Sequence, residues 1–222
     1  MKISLSSRGI RLVFILSTLL SITESASAFS ETAFQASFQK FTTMSSDQAI
    51  EQSAEEFAQL LASEPTNPLL MAYAGASTAK LATTTLFPWK KMSYAEGGLA
   101  KLDKALQLTT RADANSATHT VAMHGTVPVT LEVKFVAATT FLAVPSFMHR
   151  ASQGQQLLND ILQQSQFPTT AISFRGAVWL RAARLAIDQQ HPERAKDYLT
   201  SVIQTNAPQA PVAAQMLKGL PS

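Results

Sequence analysis

The sequence predicts an all-α fold of about eight or nine helices arranged in antiparallel pairs. Three observations predict it. Apolar residues recur at helical spacing in one segment after another, capping residues such as Ser and Asp precede these segments, and prolines follow them. The fold is expected to be a single domain over residues 29–222.

The stretch 171–207 shows this pattern most clearly. It predicts two helices joined by a tight turn at Gln190-His191-Pro192. The first helix is apolar around most of its circumference, so we expect neighbouring helices to cover it and the helix to be central. In the second helix, Pro192 lies in the first turn, where its missing N–H costs nothing. The inward residues predicted there are Ala195, Leu199 and Val202.

The N-terminal helices are predicted from caps and breaks. Ser30 precedes a helix with Phe34, Phe38 and Phe41 on one side. We interpret these rings as contacts to the core, and a ligand-binding group is the alternative. Residues 45–47 cap a second helix, and Glu64-Pro65-Thr66-Asn67-Pro68 ends it, since residues before proline avoid helical geometry.

Further helices are expected over about 69–81, 93–108 and 131–144, then after Ser146 and after Pro208. The third of all these helices is rich in Ala and Gly, which predicts a close crossing with a neighbour. Residues 109–130 have no helical period and contain turn formers, so we expect a long loop there, with a short strand or helical turn near His124.

The pair at 171–207 resembles a tetratricopeptide repeat. Trp179, Ala195 and Pro208 match the family pattern in residue type. Size-compatible residues stand for its Leu, Gly, Tyr and Phe: Ala182, Ala183, Ala186 and Leu199. An irregular helical bundle is the alternative architecture.

A weaker copy lies upstream. It contains Met71, Ala74-Gly75 and Thr78 in a first helix, and Gly98, Leu102 and Ala105 in its partner. Between them the chain has about ten residues more than the repeat pattern requires, around residues 86–91.

The resemblance implies a scaffold for protein binding, with the partner on the inner surface of the first helices. By that resemblance Arg181, Arg184 and Asp188 line the surface. Arg184 and Asp188 also have the spacing of a local helical ion pair, and this alternative stays open.

Residues 1–28 have the pattern of a signal peptide: a basic start, an apolar run over 12–22 and Ala26-Ser27-Ala28 before the cleavage point. We expect a periplasmic or secreted protein with no stable membrane span after cleavage near Ala28. An uncleaved anchor is the alternative. The chain has no Cys, which excludes disulfides and a lipid attached to Cys.

Composition argues against two classes of function. The predicted leader holds three of the 18 Lys and Arg and one of the 15 Asp and Glu, so residues 29–222 carry 15 basic and 14 acidic side chains. A net charge of +1 without a basic cluster does not indicate nucleic-acid binding. No phosphate-binding Gly-rich loop or nucleophile elbow is present, so we expect no enzyme and no cofactor.

Histidines are the only candidate metal ligands. His119, His124 and His149 form the group, but the first two have a spacing that does not align ligands on a helix. No metal site is predicted, and surface or capping roles are the preferred interpretation.

The segment around residues 87–94 is the best candidate for recognition. Its aromatic and basic residues are Phe87, Trp89, Lys90, Lys91 and Tyr94. Aromatic anchors beside cations are typical of protein interfaces. The preferred alternative is that Phe87 and Trp89 fill the gap between helix pairs while the lysines are solvated.

The function predicted from these features is that of an exported, non-catalytic helical adaptor for a protein or peptide of the cell envelope. The alternative is a periplasmic carrier of an apolar small molecule, which feeds a transporter. A large cavity with few polar groups would favour the carrier, and an open concave face with Arg and aromatic anchors would favour the adaptor. The sequence gives no indication of oligomeric state.

Overall fold

The computed structural model describes residues 30–43, 46–115 and 121–220. Nine α-helices and one two-stranded hairpin make up its regular structure, with three short 3-10 turns, so the predicted all-α class is confirmed. The helices are α1 Glu31–Thr43, α2 Asp47–Ser63, α3 Pro68–Lys80, α4 Pro88–Asn115, α5 Val129–Phe141, α6 Ala151–Gln163, α7 Ile172–Asp188, α8 Pro192–Gln204 and α9 Ala210–Lys218. The strands are β1 Met123–His124 and β2 Val127–Pro128, which pair antiparallel.

Local sequence signals place several helix ends. The Ser46 hydroxyl accepts a hydrogen bond from the amide of Ala49 (3.3 Å) and caps α2. The Asn67 side chain caps α3 by accepting from the amide of Leu69 (3.0 Å). Gln190 has a positive φ of 61°, which reverses the chain between α7 and α8. These ends lie where the caps and prolines predicted them.

Consecutive helices pack as pairs, most extensively α3 with α4, α7 with α8 and α5 with α6. At the α3–α4 crossing, a Cβ atom added to Gly98 would lie 2.6 Å from the carbonyl oxygen of Gly75 and 2.5 Å from the amide nitrogen of Ala79. The two backbones therefore touch, which is the close crossing that the small residues of α3 predict.

The most completely buried helix among the described residues is α3, whereas the apolar pattern of α7 predicted that α7 is central. Ten of the 13 residues of α3 are buried, because α2, α4 and α5 all pack on it. On α7, Ile172 and Ile187 remain exposed, so apolar composition alone overstated how much of this helix is covered.

Two predicted boundaries around α4 are wrong. The helix was expected over about 93–108 but begins at Pro88 and ends at Asn115. Residues 88–91, part of the extra loop expected around residues 86–91, therefore form the first turn of α4, and residues 109–115 are helical rather than irregular. The predicted short strand near His124 does form as β1, and α5 follows β2 directly.

Three apolar clusters hold the helices together. The first joins α1 to α5 around Phe34, Phe57 and Tyr73; the second joins α5, α6 and α7; the third joins α7, α8 and α9. Within the described ranges, none of the helices combines the length and hydropathy of a membrane-crossing segment. The predicted signal peptide, residues 1–28, lies outside the described residues.

Candidate functional site

A cavity of about 900 Å³ lies between the first cluster and α7. Side chains from α1, α3, α5 and α7 and from the β1–β2 hairpin form its walls. Aromatic rings supply much of the surface: Phe38, Phe41, Tyr73, Phe135 and Phe174. Two small side chains, Ala76 on α3 and Ala177 on α7, leave open space between these rings. The cavity is therefore a largely apolar space between α7 and the helices α1, α3 and α5.

The three phenylalanines of α1 divide between two roles. Phe34 is buried, and its ring packs edge-on against Tyr73 at 5.0 Å between centroids. Phe38 and Phe41 are only partly buried in the cluster and line the cavity. The expected contact with the core is confirmed for all three, because Phe38 and Phe41 also pack against the first cluster. These two rings have a second role, since they line the cavity as well.

The opposite wall is the N-terminal part of α7. Phe174 packs edge-on against Phe135 of α5, with centroids 5.5 Å apart. The Gln209 amide donates to the carbonyl oxygen of Ser173 at 3.1 Å and ties the start of α9 to this wall. A Cβ atom on Gly176 would lie 2.3 Å from the Gln209 side-chain oxygen, so glycine permits this contact.

One end of the cavity is polar. The Tyr73 hydroxyl donates to Glu132 Oε1 at 2.8 Å, and His124 Nδ1 lies 2.7 Å from Glu132 Oε2. The other ring nitrogen, His124 Nε2, lies 3.2 Å from a carboxylate oxygen of Glu31. This chain of four side chains, called the polar relay below, connects α3, α5, the hairpin and α1.

These contacts determine the protonation of His124 and Tyr73 in the polar relay. The hydrogen bond with Glu132 raises the pKa of His124 to about 9, although partial burial acts in the opposite direction. Burial and the adjacent Glu132 carboxylate raise the pKa of the Tyr73 hydroxyl well above its usual value. At neutral pH the relay therefore holds an imidazolium between two carboxylates and a neutral tyrosine.

The His124 imidazolium should make stability depend on pH. Its pKa is higher in the folded chain, about 9, than the ordinary 6.5, so its contribution is fully present below pH 6.5 and is lost as pH rises through 9. The charged groups that contact it among the described residues include the carboxylates of Glu132 and Glu31. After allowance for solvent screening, we expect the free energy of unfolding to fall by about 1–2 kcal/mol between pH 6 and 10.

Urea unfolding at a series of pH values measures this fall. The control is His124→Gln, whose side-chain amide can still donate a hydrogen bond but does not titrate. In this variant the free energy of unfolding should no longer fall by that amount between pH 6 and 10. Equal slopes for the two proteins would contradict the assigned role of His124.

The comparisons with family models, curated proteins and solved structures find no match.

The residues predicted for recognition near α4 are largely exposed. Trp89 is 66% and Phe87 51% exposed, so neither fills a gap between helix pairs, and that part of the preferred interpretation is wrong. Its other part, that Lys90 and Lys91 are solvated, is confirmed. Their rings pair with each other at 5.0 Å between centroids, and Lys90 Nζ lies 5.4 Å from the Phe87 ring. Lys91 is exposed and Tyr94 half-buried. The segment is a surface feature of the helix start.

The residues predicted for recognition on α7 behave differently from one another. Arg184 and Asp188 are exposed and Arg181 is half-buried. Burial, with Arg184 adding to it, lowers the pKa of the Arg181 guanidinium. Among the ion pairs of the described residues there is none between Arg184 and Asp188, so the alternative of a local pair is wrong. All eight residues predicted for recognition are described, and none of them lines the cavity.

The three histidines do not form a metal group in the described part of the chain. His119 lies outside it, His124 belongs to the polar relay, and His149 is exposed, with a φ of 54°, after a short 3-10 turn. No group of three potential ligands is found among the described residues.

Sequence reasoning missed most of the cavity, including Tyr73, Glu132 and Phe174 as site residues. One signal was available. Glu132 is a carboxylate between Leu131 and Val133 in a helix that is otherwise mostly apolar, and such a group needs a partner if it is buried.

Proposed function

We propose that this protein binds a small, largely apolar molecule in the cavity. The observation that supports it best is an aromatic-lined space of about 900 Å³ whose charged side chains, Glu31, His124 and Glu132, form one hydrogen-bonded cluster. Ligand pockets commonly measure about 300–1,000 Å³ and combine apolar walls with a few placed polar groups. A volume of this size holds about 30 water molecules, and most of them would find no hydrogen-bond partner on the apolar walls. An apolar ligand would therefore replace them favourably.

In this proposal the protein is a non-catalytic carrier. Both ring nitrogens of His124 face carboxylates, an arrangement that supports a fixed cation rather than a free general base. The signal-peptide pattern of residues 1–28 supports a location in the periplasm, where a carrier would protect its ligand from water and deliver it to a transporter.

Filling the cavity should abolish binding. Ala177 is partly exposed on α7 and lines the cavity, so Ala177→Trp should occupy ligand space without disturbing the core. We expect the neutral probe N-phenyl-1-naphthylamine to bind the unaltered protein saturably, and Ala177→Trp to weaken binding at least about tenfold. Fluorescence titration measures both.

The matched control is Ala100→Trp, which adds the same side chain to an exposed position of α4 away from the cavity. It should leave probe affinity unchanged. If the two variants bind the probe equally well, the cavity is not the binding site and the proposal fails.

A second candidate function is a tetratricopeptide-like adaptor that binds a protein or peptide of the cell envelope. The exposed apolar residues before and within the first turns of α4 favour it: Leu86, Phe87, Trp89 and Met92. The backbone contact between Gly75 and Gly98 supports repeat-like pairing of α3 and α4. Under this proposal the aromatic pair is the anchor of the interface.

Replacing each of the two tryptophans with alanine distinguishes a residue needed for stability from one available for recognition. Trp89→Ala should change the free energy of unfolding by less than about 1 kcal/mol, because the ring is mostly exposed. Trp179→Ala should cost about 3 kcal/mol, because that ring packs into the second cluster and edge-on against Phe167 at 5.7 Å. Urea unfolding gives both values.

For the adaptor, capture of a periplasmic protein by immobilised protein should be lost in Trp89→Ala. Capture that survives the substitution would exclude this surface as the adaptor interface.

A further inference from the structure

We infer that the molecule bound in the cavity is a single-chain amphiphile with a positively charged amine. This inference rests on the proposed function and adds the chemical class of the ligand. Its basis is the sign of the charge at the polar end. Two carboxylates, Glu31 and Glu132, and one imidazolium, His124, line the cavity, and the described lining contains neither Lys nor Arg.

The two carboxylates are not equally available. Glu132 is almost buried, and its two oxygens are engaged by the Tyr73 hydroxyl and by His124 at 2.8 and 2.7 Å. The Glu31 side chain is 56% exposed and lies farther from the imidazole, at 3.2 Å. Its other contact is the Gln35 amide, which donates to Oε1 at 2.7 Å. Glu31 therefore retains acceptor capacity on the solvent side of the cavity, where an ammonium can approach without complete loss of water.

Aromatic rings in the cavity lining suit a cation as well. Phe38 and Tyr73 line the cavity on the side of α1 and α3, and aromatic faces attract ammonium groups. Phe41 already has such a neighbour, since Lys80 Nζ lies 5.0 Å from its ring centre. That lysine donates to the backbone oxygen of Phe41 and is not part of the lining. The geometry thus places the amine at the mouth, beside Glu31, and the apolar chain toward Phe135 and Phe174.

An anionic head group has no comparable partner. The imidazolium lies between the two carboxylates, so a third carboxylate at this end would meet a net negative charge. Arg181, one helical turn beyond Ala177, is half-buried and is not a lining residue. Discrimination against fatty-acid-like anions follows from the same residues that favour the amine.

Three ligands with the same twelve-carbon chain test the inference, because their apolar burial is equal and only the head differs. They are dodecylamine, dodecanol and dodecanoate, each used at pH 7 below its micelle concentration to displace N-phenyl-1-naphthylamine. We expect the amine to bind at least about tenfold more tightly than the alcohol, and the carboxylate to bind most weakly.

Glu31→Gln should reduce the affinity for the amine to that for the alcohol and leave the alcohol unchanged. The matched control, Glu51→Gln, alters an exposed carboxylate of α2 outside the cavity and should preserve the preference. Thermal unfolding of both variants checks that they are folded.

The failures are distinguishable. Tighter or equal binding of dodecanoate, or an unchanged amine preference in Glu31→Gln, overturns the inference while the cavity remains a binding site. Failure of all three ligands to displace the probe, or equal probe binding by Ala177→Trp and Ala100→Trp, overturns the proposed function and this inference together.

Discussion

Replacing Gly98 with alanine should destabilise the protein by about 3 kcal/mol, the largest effect expected from adding one methyl group. The new Cβ would lie 2.5 Å from the amide nitrogen of Ala79 and 2.6 Å from the carbonyl oxygen of Gly75. Both neighbours are backbone atoms within α3, so no side chain can rotate away. The two helices would have to separate, and α3 carries much of the first apolar cluster.

The adjacent residue provides the control. A Cβ added to Gly97 would meet no atom within 4 Å, in the same helix and at the next position. Gly97→Ala should therefore stabilise the protein by about 0.5–1 kcal/mol, because alanine favours helix and restricts the unfolded chain. Urea unfolding of both variants gives the comparison. Similar stabilities for Gly97→Ala and Gly98→Ala would show that the α3–α4 contact is not close.

The helices that the sequence predicted well have local signals at both ends. Ser46 and Asn67 accept amide hydrogens at helix starts, and Gln190 turns the chain before Pro192. Such signals depend on a few neighbouring residues, so they can be recognised without knowing the fold. The all-α class can be predicted because many such local signals along the chain all indicate helices.

The errors at α4 have a physical cause of a different kind. Residues around 86–91 were predicted to be an extra loop, yet Pro88 fits the first turn of a helix, where its missing N–H needs no partner. At the other end, residues 109–111 include exposed positions, so no apolar period marked them as helical.

The cavity could not be predicted from local patterns. Its lining runs from Glu31 to Gln209, and the hydrogen bond between Tyr73 and Glu132 joins residues 59 positions apart. Apolar residues that line a cavity also have the same spacing as residues that fill a core, as Phe34 and Phe38 show on one helix. Only the tertiary arrangement separates these two roles.

Removal of the Glu132 carboxylate should have the second large effect. Glu132→Ala would leave the Tyr73 hydroxyl without its acceptor in a nearly fully buried position and His124 without its closer carboxylate. Breaking a buried, hydrogen-bonded pair from one side typically costs about 3–5 kcal/mol, and we expect a loss in that range by urea unfolding. Glu96→Ala, at an exposed site of α4, should leave stability nearly unchanged.

Glu132→Gln distinguishes the charge from the hydrogen bonds. The amide oxygen can still accept from Tyr73, so we expect a smaller loss, of about 1–2 kcal/mol. The charge that favours the imidazolium is gone, however, so the fall in stability between pH 6 and 10 should shrink as it does in His124→Gln. If Glu132→Gln kept the full pH dependence, Glu31 rather than Glu132 would have to raise the pKa of His124. The main ion pair of the polar relay would then lie between His124 and Glu31, at the mouth of the cavity.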